Sequence, residues 1–194
     1  MNKAKHNSGV TIFLPGLVPE RYLGLQTKYI ANLNNTGKRE VIEFDARWFT
    51  DESPKDKALR ARGLVGDLLA EGREVSLDAF SGGGALAIDL LFSFPSIAKA
   101  RLVAGKVTNP SIRNERDAYY DRMAPAILES VAISDRLLQR PLPGADRVTT
   151  YHPLHDSIVP YADTVIAGAE QKRLYAVGHL ASIVAACAFV FNKP

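Results

Sequence analysis

The stretch EVSLDAFSGGGALAIDLL, from Glu74 to Leu91, decides how the chain folds. Its first half is rich in β-forming residues and its second half is apolar and helix-like. Ser81 and the glycine run 82–84 lie between the two halves. A strand that turns sharply into a helix crowds its own backbone, so small residues are needed around the turn. The stretch therefore predicts a strand, a tight turn that presents the Ser81 hydroxyl, and a helix.

The same alternation continues along the rest of the chain. Strands are expected at 10–14, 39–49, 73–80, 100–107, 146–154 and 172–179, and helices at 22–34, 54–72, 85–94, 111–140, 160–171 and 180–191. Parallel neighbouring strands need crossover connections, so this order predicts an α/β fold, a three-layer sandwich with a six-stranded, mostly parallel sheet and helices on both faces. We find no linker and no internal repeat, and we expect residues 1–194 to form a single domain.

The composition narrows the class of protein. Of the 194 residues, 46% are hydrophobic and 23% are charged, which is typical of one globular domain. The net charge is only +3 and the basic residues are scattered, so we expect no nucleic-acid partner. No apolar run reaches membrane-spanning length and the first ten residues lack a signal-peptide pattern, so we expect no stable membrane insertion and a cytoplasmic location. The single cysteine, Cys187, excludes an intrachain disulfide, and the oligomeric state is not indicated.

Three polar residues lie where an α/β sheet carries its function, at the carboxyl ends of strands. Ser81 follows the third predicted strand, Asp156 follows the fifth, and His179 ends the sixth. A serine hydroxyl needs a base to accept its proton, and a histidine base needs a carboxylate to orient it. The order Ser81, Asp156, His179 is the one expected when the nucleophile lies on a sharp strand-to-helix turn.

At these positions the chain resembles the α/β-hydrolase superfamily, as a small lipase- or esterase-like member with no cap or a small lid. Four motifs carry the resemblance: FLPGL at 13–17, AFSGG at 79–83, DSIVP at 156–160 and VGHL at 177–180. The resemblance extends from the first strand to the final helix. It implies a minimal form of the fold, without the family's leading antiparallel hairpin.

The resemblance also implies roles for individual residues. Ser81 would be the nucleophile, His179 the general base and then acid, and Asp156 the group that orients it. The backbone N–H groups of Gly82 and Leu17 would form the oxyanion hole. The expected substrate is a small-molecule carboxylic ester or thioester, with no metal and no cofactor. The residues expected to line the substrate site are Gly16, Phe80, Tyr119, Tyr120 and Met123, with 111–140 as lid or pocket-wall helices.

Four residues depart from the family pattern or are not explained by it. Ala79 replaces the usual glycine two residues before the serine, and Pro15 replaces the usual histidine before the glycine of the first-strand turn. Pro153 stands three residues before the acid, where glycine is frequent. Asp78 is a carboxylate near the end of a central strand, and we expect it to pair with a basic residue or a hydroxyl.

Other interpretations stay open for the same residues. The glycine run lacks the following Lys-Ser/Thr of a phosphate-binding loop and the spacing of a dinucleotide fingerprint. His179 could be a structural histidine at a strand end. His152 and His155 flank Asp156 and suggest a metal site only weakly, and His155 lies beside the acid rather than across from it. Trp48 and Phe49 are interpreted as packing residues.

Two further functions compete with ester hydrolysis. A catalytically inactive α/β-hydrolase fold could serve as a binding protein, because one fold hosts many functions. The same three residues could also support amide hydrolysis or acyl transfer to an alcohol or thiol.

Overall fold

The computed structural model describes residues 9–17, 40–109, 122 and 124–190. Six strands within these ranges form one sheet, and every neighbouring pair is parallel. The strands are β1 (Val10–Leu14), β2 (Glu40–Glu43), β3 (Val75–Phe80), β4 (Lys99–Val103), β5 (Val148–His155) and β6 (Glu170–Val177). Their order across the sheet is β2-β1-β3-β4-β5-β6. The predicted fold class is confirmed.

Four α-helices belong to the described residues, and local sequence signals set the ends of the first. They are α1 (Pro54–Ala70), α2 (Gly83–Ser93), α3 (Pro125–Leu137) and α4 (His179–Ala185), the last continued by a π-helical turn at Ala186–Val190. The Ser53 hydroxyl accepts the N–H of Asp56 at 3.1 Å and Pro54 follows it, so the predicted start of α1 is confirmed. Gly72, at φ +75°, turns the chain away after α1.

Alternation along the central strands creates two cores, one on each face of the sheet. The first core packs against α1, α2 and α3, and its strand residues include Val10, Ile12, Leu14, Val75, Leu77, Ala100 and Leu102. The second core packs against the C-terminal helical segment, and it contains Phe13, Val41, Phe80, Val103, Ala104, Leu174, Ala186 and Val190. The central strands are therefore buried on both faces, as a parallel sheet requires.

The strand order changes direction at β1, which has β2 on one side and β3 on the other. In open α/β sheets the crevice for a ligand lies at such a switch point, beyond the carboxyl ends of the strands. The turn after β1 and the turn after β3 meet there. These are the turns that carry Gly16 and Ser81.

The helix predicted at 160–171 is wrong. This connection contains a single 3₁₀ turn, Tyr161–Thr164, closed by the Thr164 hydroxyl, which donates to the Tyr161 carbonyl at 2.8 Å. Ile166 leaves the turn to enter the first core, and Gly168, at φ +82°, reverses the chain into β6. The apolar spacing of this segment comes from contacts with the sheet and not from a helical face.

Three predicted strands end earlier than expected, and two of them are followed by residues other than glycine with positive φ. β2 ends at Glu43 instead of residue 49, and Arg47, four residues later, has φ +46°. β4 ends at Val103 instead of residue 107, because Ala104 has φ +44°. Positive φ is uncommon for residues other than glycine, and nothing in the local sequence indicates it.

Some predictions fall outside the described residues. They are the helix at 22–34, the part of 111–140 that precedes residue 122, and the candidate pocket residues Tyr119, Tyr120 and Met123. Within the described part of that segment, Pro125–Leu137 forms α3. In the described ranges no helix has the length and apolar character needed to cross a bilayer, and the cytoplasmic location stays a prediction.

A buried ion pair explains Asp78. This residue lies directly opposite Arg101 in the β3–β4 register, and both side chains are almost fully buried. The guanidinium donates to both carboxylate oxygens, at 2.7 and 2.9 Å, and also to the carbonyl of Val190 at 2.9 Å. The pair therefore ties the centre of the sheet to the end of the C-terminal helical segment, in agreement with the expected basic partner.

Candidate active site

Ser81 lies on a strained turn between β3 and α2. Its φ is +50°, a conformation that costs about 1–3 kcal/mol for a residue with a side chain and persists only where neighbouring contacts enforce it. Those contacts are present. The Ser81 N–H donates to Val103, and its carbonyl accepts the N–H groups of Gly84 at 2.9 Å and Lys106 at 3.0 Å. The turn holds the hydroxyl in one orientation at the carboxyl edge of the sheet.

The glycine run is needed for close approach, and each glycine faces a different neighbour. A Cβ on Gly82 would lie 3.2 Å from the Ile127 side chain, and one on Gly84 would lie 3.0 Å from the Cα of Gly105. A Cβ on Gly83 would collide with the carbonyl oxygen of Leu14. The start of α2 is thus packed tightly against α3, the turn after β4 and the end of β1.

His179 connects the hydroxyl to the carboxylate. Its Nε2 lies 3.0 Å from the Ser81 Oγ, and its Nδ1 lies 2.7 Å from Oδ2 of Asp156. The expectation that His179 ends the sixth strand is wrong, because β6 stops at Val177 and His179 is the first residue of α4. Gly178, at φ +93°, makes the turn that aims the imidazole across the site.

Asp156 is held as an anion, and this fixes the tautomer of His179. Burial would raise the pKa of the Asp156 carboxyl, but the hydrogen bond and charge of His179 and the N–H groups of Val159 and Ile158 hold it below its usual value. Those two N–H groups donate to Oδ1 at 3.0 and 2.8 Å. An ionised carboxylate can only accept hydrogen bonds, so Nδ1 carries the imidazole proton and Nε2 is free to accept from Ser81.

The turn after β1 lies against the serine. Gly16 is so close that a Cβ there would be 2.5 Å from the Ser81 Cβ. Leu17 follows, half-buried against the first core. Among the described residues, neither the N–H of Leu17 nor that of Gly82 donates to a backbone carbonyl. Gly82 directly follows Ser81 in the chain, and Leu17 directly follows Gly16, the residue that lies against Ser81.

Phe80, expected in the substrate site, is buried in the second core. Its ring centroid lies 5.1 Å from that of His179, with the two planes tilted by 50°. This contact places Phe80 against the imidazole, and a role in substrate binding stays a prediction.

Sequence analysis missed two buried contacts beside the site. Lys106, whose N–H holds the Ser81 carbonyl, forms a buried ion pair with Asp163 at 2.5 Å, in the connection that follows Asp156. Trp48, interpreted as a packing residue, also donates its indole N–H to the carbonyl of Pro15 at 2.9 Å. Both contacts join residues more than thirty positions apart, and only the sheet order could have suggested them.

Within the described ranges, His152 and His155 belong to no group of possible metal ligands. In the described part of the chain no three His, Cys, Asp or Glu side chains are grouped so that they could hold an ion. The His152 ring packs against Tyr161, with centroids 4.5 Å apart, and burial, together with the charge of Arg173, lowers its pKa. The His155 carbonyl accepts the N–H of Gly178 and so supports the turn before His179.

A cleft of about 460 Å³ lies between the turn after β2 and the start of α3. Trp48, in one wall, donates its indole N–H to the Pro15 carbonyl. Ala126, in the other wall, precedes Ile127, whose side chain lies 3.2 Å from where a Cβ on Gly82 would be. The charged residues that line it are Asp51, Glu52, Arg122 and Glu129.

No protein-family model and no curated protein matches the sequence. Solved structures do match it in fold. One belongs to the metagenome-derived lipolytic enzymes LipS and LipT, with a TM-score of 0.65, 14% identity, and coverage of 97% of this chain and 94% of that chain. Another is carboxyl esterase 2 from the fungus Tuber melanosporum, with a TM-score of 0.61, 13% identity, and coverage of 97% and 75%.

A third similar structure has a different activity. The bottromycin epimerase BotH matches with a TM-score of 0.60, 15% identity, and coverage of 94% of this chain and 88% of that chain. The shared architecture therefore does not by itself specify a reaction. Together with the parallel sheet, its order and the turns at its carboxyl edge, these matches establish that the chain has the fold of the α/β-hydrolase superfamily.

Proposed function

We propose that the protein is a serine hydrolase that cleaves small carboxylic esters or thioesters through an acyl-enzyme. One observation carries the proposal: the hydroxyl of Ser81, the imidazole of His179 and the carboxylate of Asp156 are joined by hydrogen bonds of 3.0 and 2.7 Å. The serine is also held on a strained turn at the start of a helix. Fold neighbours described as esterases and lipolytic enzymes support the same class of reaction.

In the first half of the reaction, Ser81 Oγ attacks the carbonyl carbon and its proton passes to His179 Nε2. The carbonyl oxygen becomes an oxyanion that accepts the N–H groups of Gly82 and Leu17, and loss of one such donor costs about 10²–10³ in kcat in known enzymes. The tetrahedral intermediate collapses, the bond to the leaving oxygen or sulfur breaks, and His179 returns the proton to that atom. The Asp156 carboxylate stabilises the transient imidazolium.

In the second half, water attacks the acyl-enzyme. His179 accepts a proton from the water and a second tetrahedral oxyanion forms. Its collapse breaks the bond between the acyl carbon and Ser81 Oγ and releases the acid, and His179 returns the proton to Oγ. Every step uses groups of this chain, the substrate and water.

The test is replacement of the nucleophile, with a matched control on the same helix. Ser81→Ala should abolish turnover of p-nitrophenyl butyrate, because no other group takes its place in the hydrogen-bonded chain. Ser93→Ala, at the far end of α2, removes only a hydroxyl that donates to the Asp89 carbonyl at 2.8 Å, and should keep full kcat. Retained turnover in a purified, folded Ser81→Ala protein would end the proposal.

The rival functions are separated by a fluorophosphonate probe and a substrate panel. A hydrolase or acyltransferase is labelled once, at Ser81, whereas a binding protein with an inactive site is not labelled. A non-hydrolytic function is considered because one of the structures with a similar fold is an epimerase. Amide substrates and acyl acceptors, compared with esters, then distinguish amidase and acyltransferase activity.

A further inference from the structure

Trp48 makes a hydrogen bond that packing alone does not require. Its side chain is buried and its indole N–H donates to the carbonyl of Pro15 at 2.9 Å, across 33 positions of sequence. A buried indole N–H needs an acceptor, and an indole is a rigid plane, so the bond fixes the direction of both partners. The acceptor belongs to the peptide that links Pro15 to Gly16. The next peptide along the chain carries the N–H of Leu17, one of the two proposed oxyanion donors.

The turn after β1 depends on support from outside itself. β1 ends at Leu14, and Gly16 has no side chain with which to anchor the backbone. The approach of Gly16 to Ser81, where a Cβ would lie 2.5 Å from the serine Cβ, leaves little room for the backbone to move. With Gly16 held against Ser81 and the preceding carbonyl held by Trp48, the orientation of the Gly16–Leu17 peptide is determined from two sides.

Trp48 is itself held by a strained turn. Arg47 has φ +46°, and its carbonyl accepts three hydrogen bonds: from the Thr50 N–H at 3.2 Å, from the Thr50 hydroxyl at 2.9 Å and from the Lys57 ammonium at 2.5 Å. Lys57 is fully buried, and its ammonium also lies 5.9 Å from the centre of the Trp48 ring. Backbone strain that so many contacts enforce is found most often at functional sites.

We propose that Trp48 is a positioning residue for the reaction: its indole N–H orients the Pro15–Gly16 peptide so that the Leu17 N–H faces the oxyanion. Lys57 acts behind it by holding the turn that carries Trp48. The proposal rests on the proposed function, because it assigns Trp48 to an oxyanion hole. It extends that function to a residue outside the hydrogen-bonded chain of Ser81, His179 and Asp156.

The expected effect is selective for the transition state. Complete loss of an oxyanion donor costs about 10²–10³ in kcat, so a donor that is displaced but still present should cost less, about 10-fold. The Leu17 N–H binds the carbonyl oxygen of the bound substrate more weakly than the oxyanion of the transition state, so KM should stay unchanged. A trifluoromethyl ketone inhibitor forms an adduct with Ser81 whose oxyanion lies in the same place as that of the transition state. Affinity for this inhibitor should fall by the same factor as kcat/KM.

The chain contains a single tryptophan, which makes an atom-level test possible. Growth of a tryptophan-requiring host on β-(3-benzothienyl)alanine replaces only Trp48 and exchanges the indole N–H for sulfur while keeping the ring shape. Trp48→Phe is the second variant. The matched control is Arg147→Met, which removes two side-chain hydrogen bonds, both 2.6 Å, to the carbonyls of Ile97 and Pro95 at the opposite edge of the sheet.

Kinetic constants are normalised to the sites that a fluorophosphonate labels. The proposal is supported if both Trp48 variants lose about 10-fold in kcat and in affinity for the trifluoromethyl ketone while KM stays constant. The control, Arg147→Met, should lower only Tm. Normal kcat per labelled site, or a pattern equal to that of Arg147→Met, refutes the role of Trp48 and leaves the proposed function standing. Absence of labelling at Ser81 in the unmodified protein overturns both.

Discussion

Gly16→Ala should disable the protein through a single methyl group. The new Cβ would lie 2.5 Å from the Ser81 Cβ and 2.8 Å from the Phe80 carbonyl oxygen. Nonbonded carbon atoms prefer about 3.5–4.0 Å, so the two turns must separate by about 1 Å. A displacement of that size between reacting groups costs about 100-fold in rate, and we expect kcat for p-nitrophenyl butyrate to fall by about that factor.

Gly63→Ala is the matched control for this change. Gly63 lies within α1, and a Cβ there would meet nothing within 4 Å. Alanine in a helix interior is more favourable than glycine by about 1 kcal/mol, so this variant should be slightly more stable and fully active. Urea unfolding and initial rates, measured on both variants, give the comparison. A kcat for Gly16→Ala within about twofold of the unmodified protein would show that the β1 turn is not fixed against the serine as described.

Two other predictions concern charges away from the reacting groups. Asp78→Asn leaves the Arg101 guanidinium without its buried carboxylate partner and should lower the free energy of unfolding by about 3–5 kcal/mol, measured by urea titration; an unchanged midpoint would contradict this. The hydrogen bond from Arg60, opposed by burial and aided by the charges of Arg60 and Lys57, lowers the pKa of Glu52 to about 2. The stabilisation from Glu52 should therefore be complete above pH 4.5 and lost as the pH falls through about 2, so Glu52→Gln should approach the unmodified protein in stability over that interval. A stability difference that does not vary with pH would argue against the ion pair.

Sequence signals predicted the elements whose ends are set locally. The start of α1 follows from Ser53 and Pro54, and β1 is rich in β-forming residues and ends before Pro15-Gly16, so no distant contact is needed to locate either. The alternation of strands and helices likewise predicted the fold class, because a parallel sheet needs its crossovers. The order of Ser81, Asp156 and His179 along the chain also indicated that the three would meet at one edge.

The errors arose where tertiary contacts override local pattern. The apolar spacing at 160–171 is typical of a helix, but Ile166 serves the core of the sheet instead. The expected basic partner of Asp78 is present, but its identity as Arg101 depends on the β3–β4 register, which the sequence does not specify. Trp48 and Pro15 likewise meet only because β2 lies beside β1.

The crowding around the three glycines after Ser81 limits how this protein can adapt to a new substrate. Because α3, the turn after β4 and the end of β1 each lie close to a different glycine, the turn that carries Ser81 has no space to move into. Under the proposed function, a bulkier acyl group could therefore not be accommodated by movement of that turn. A change in substrate specificity would then require substitutions in the loops at the carboxyl ends of the strands. The residues of the Ser81 turn and its three glycines would stay the same.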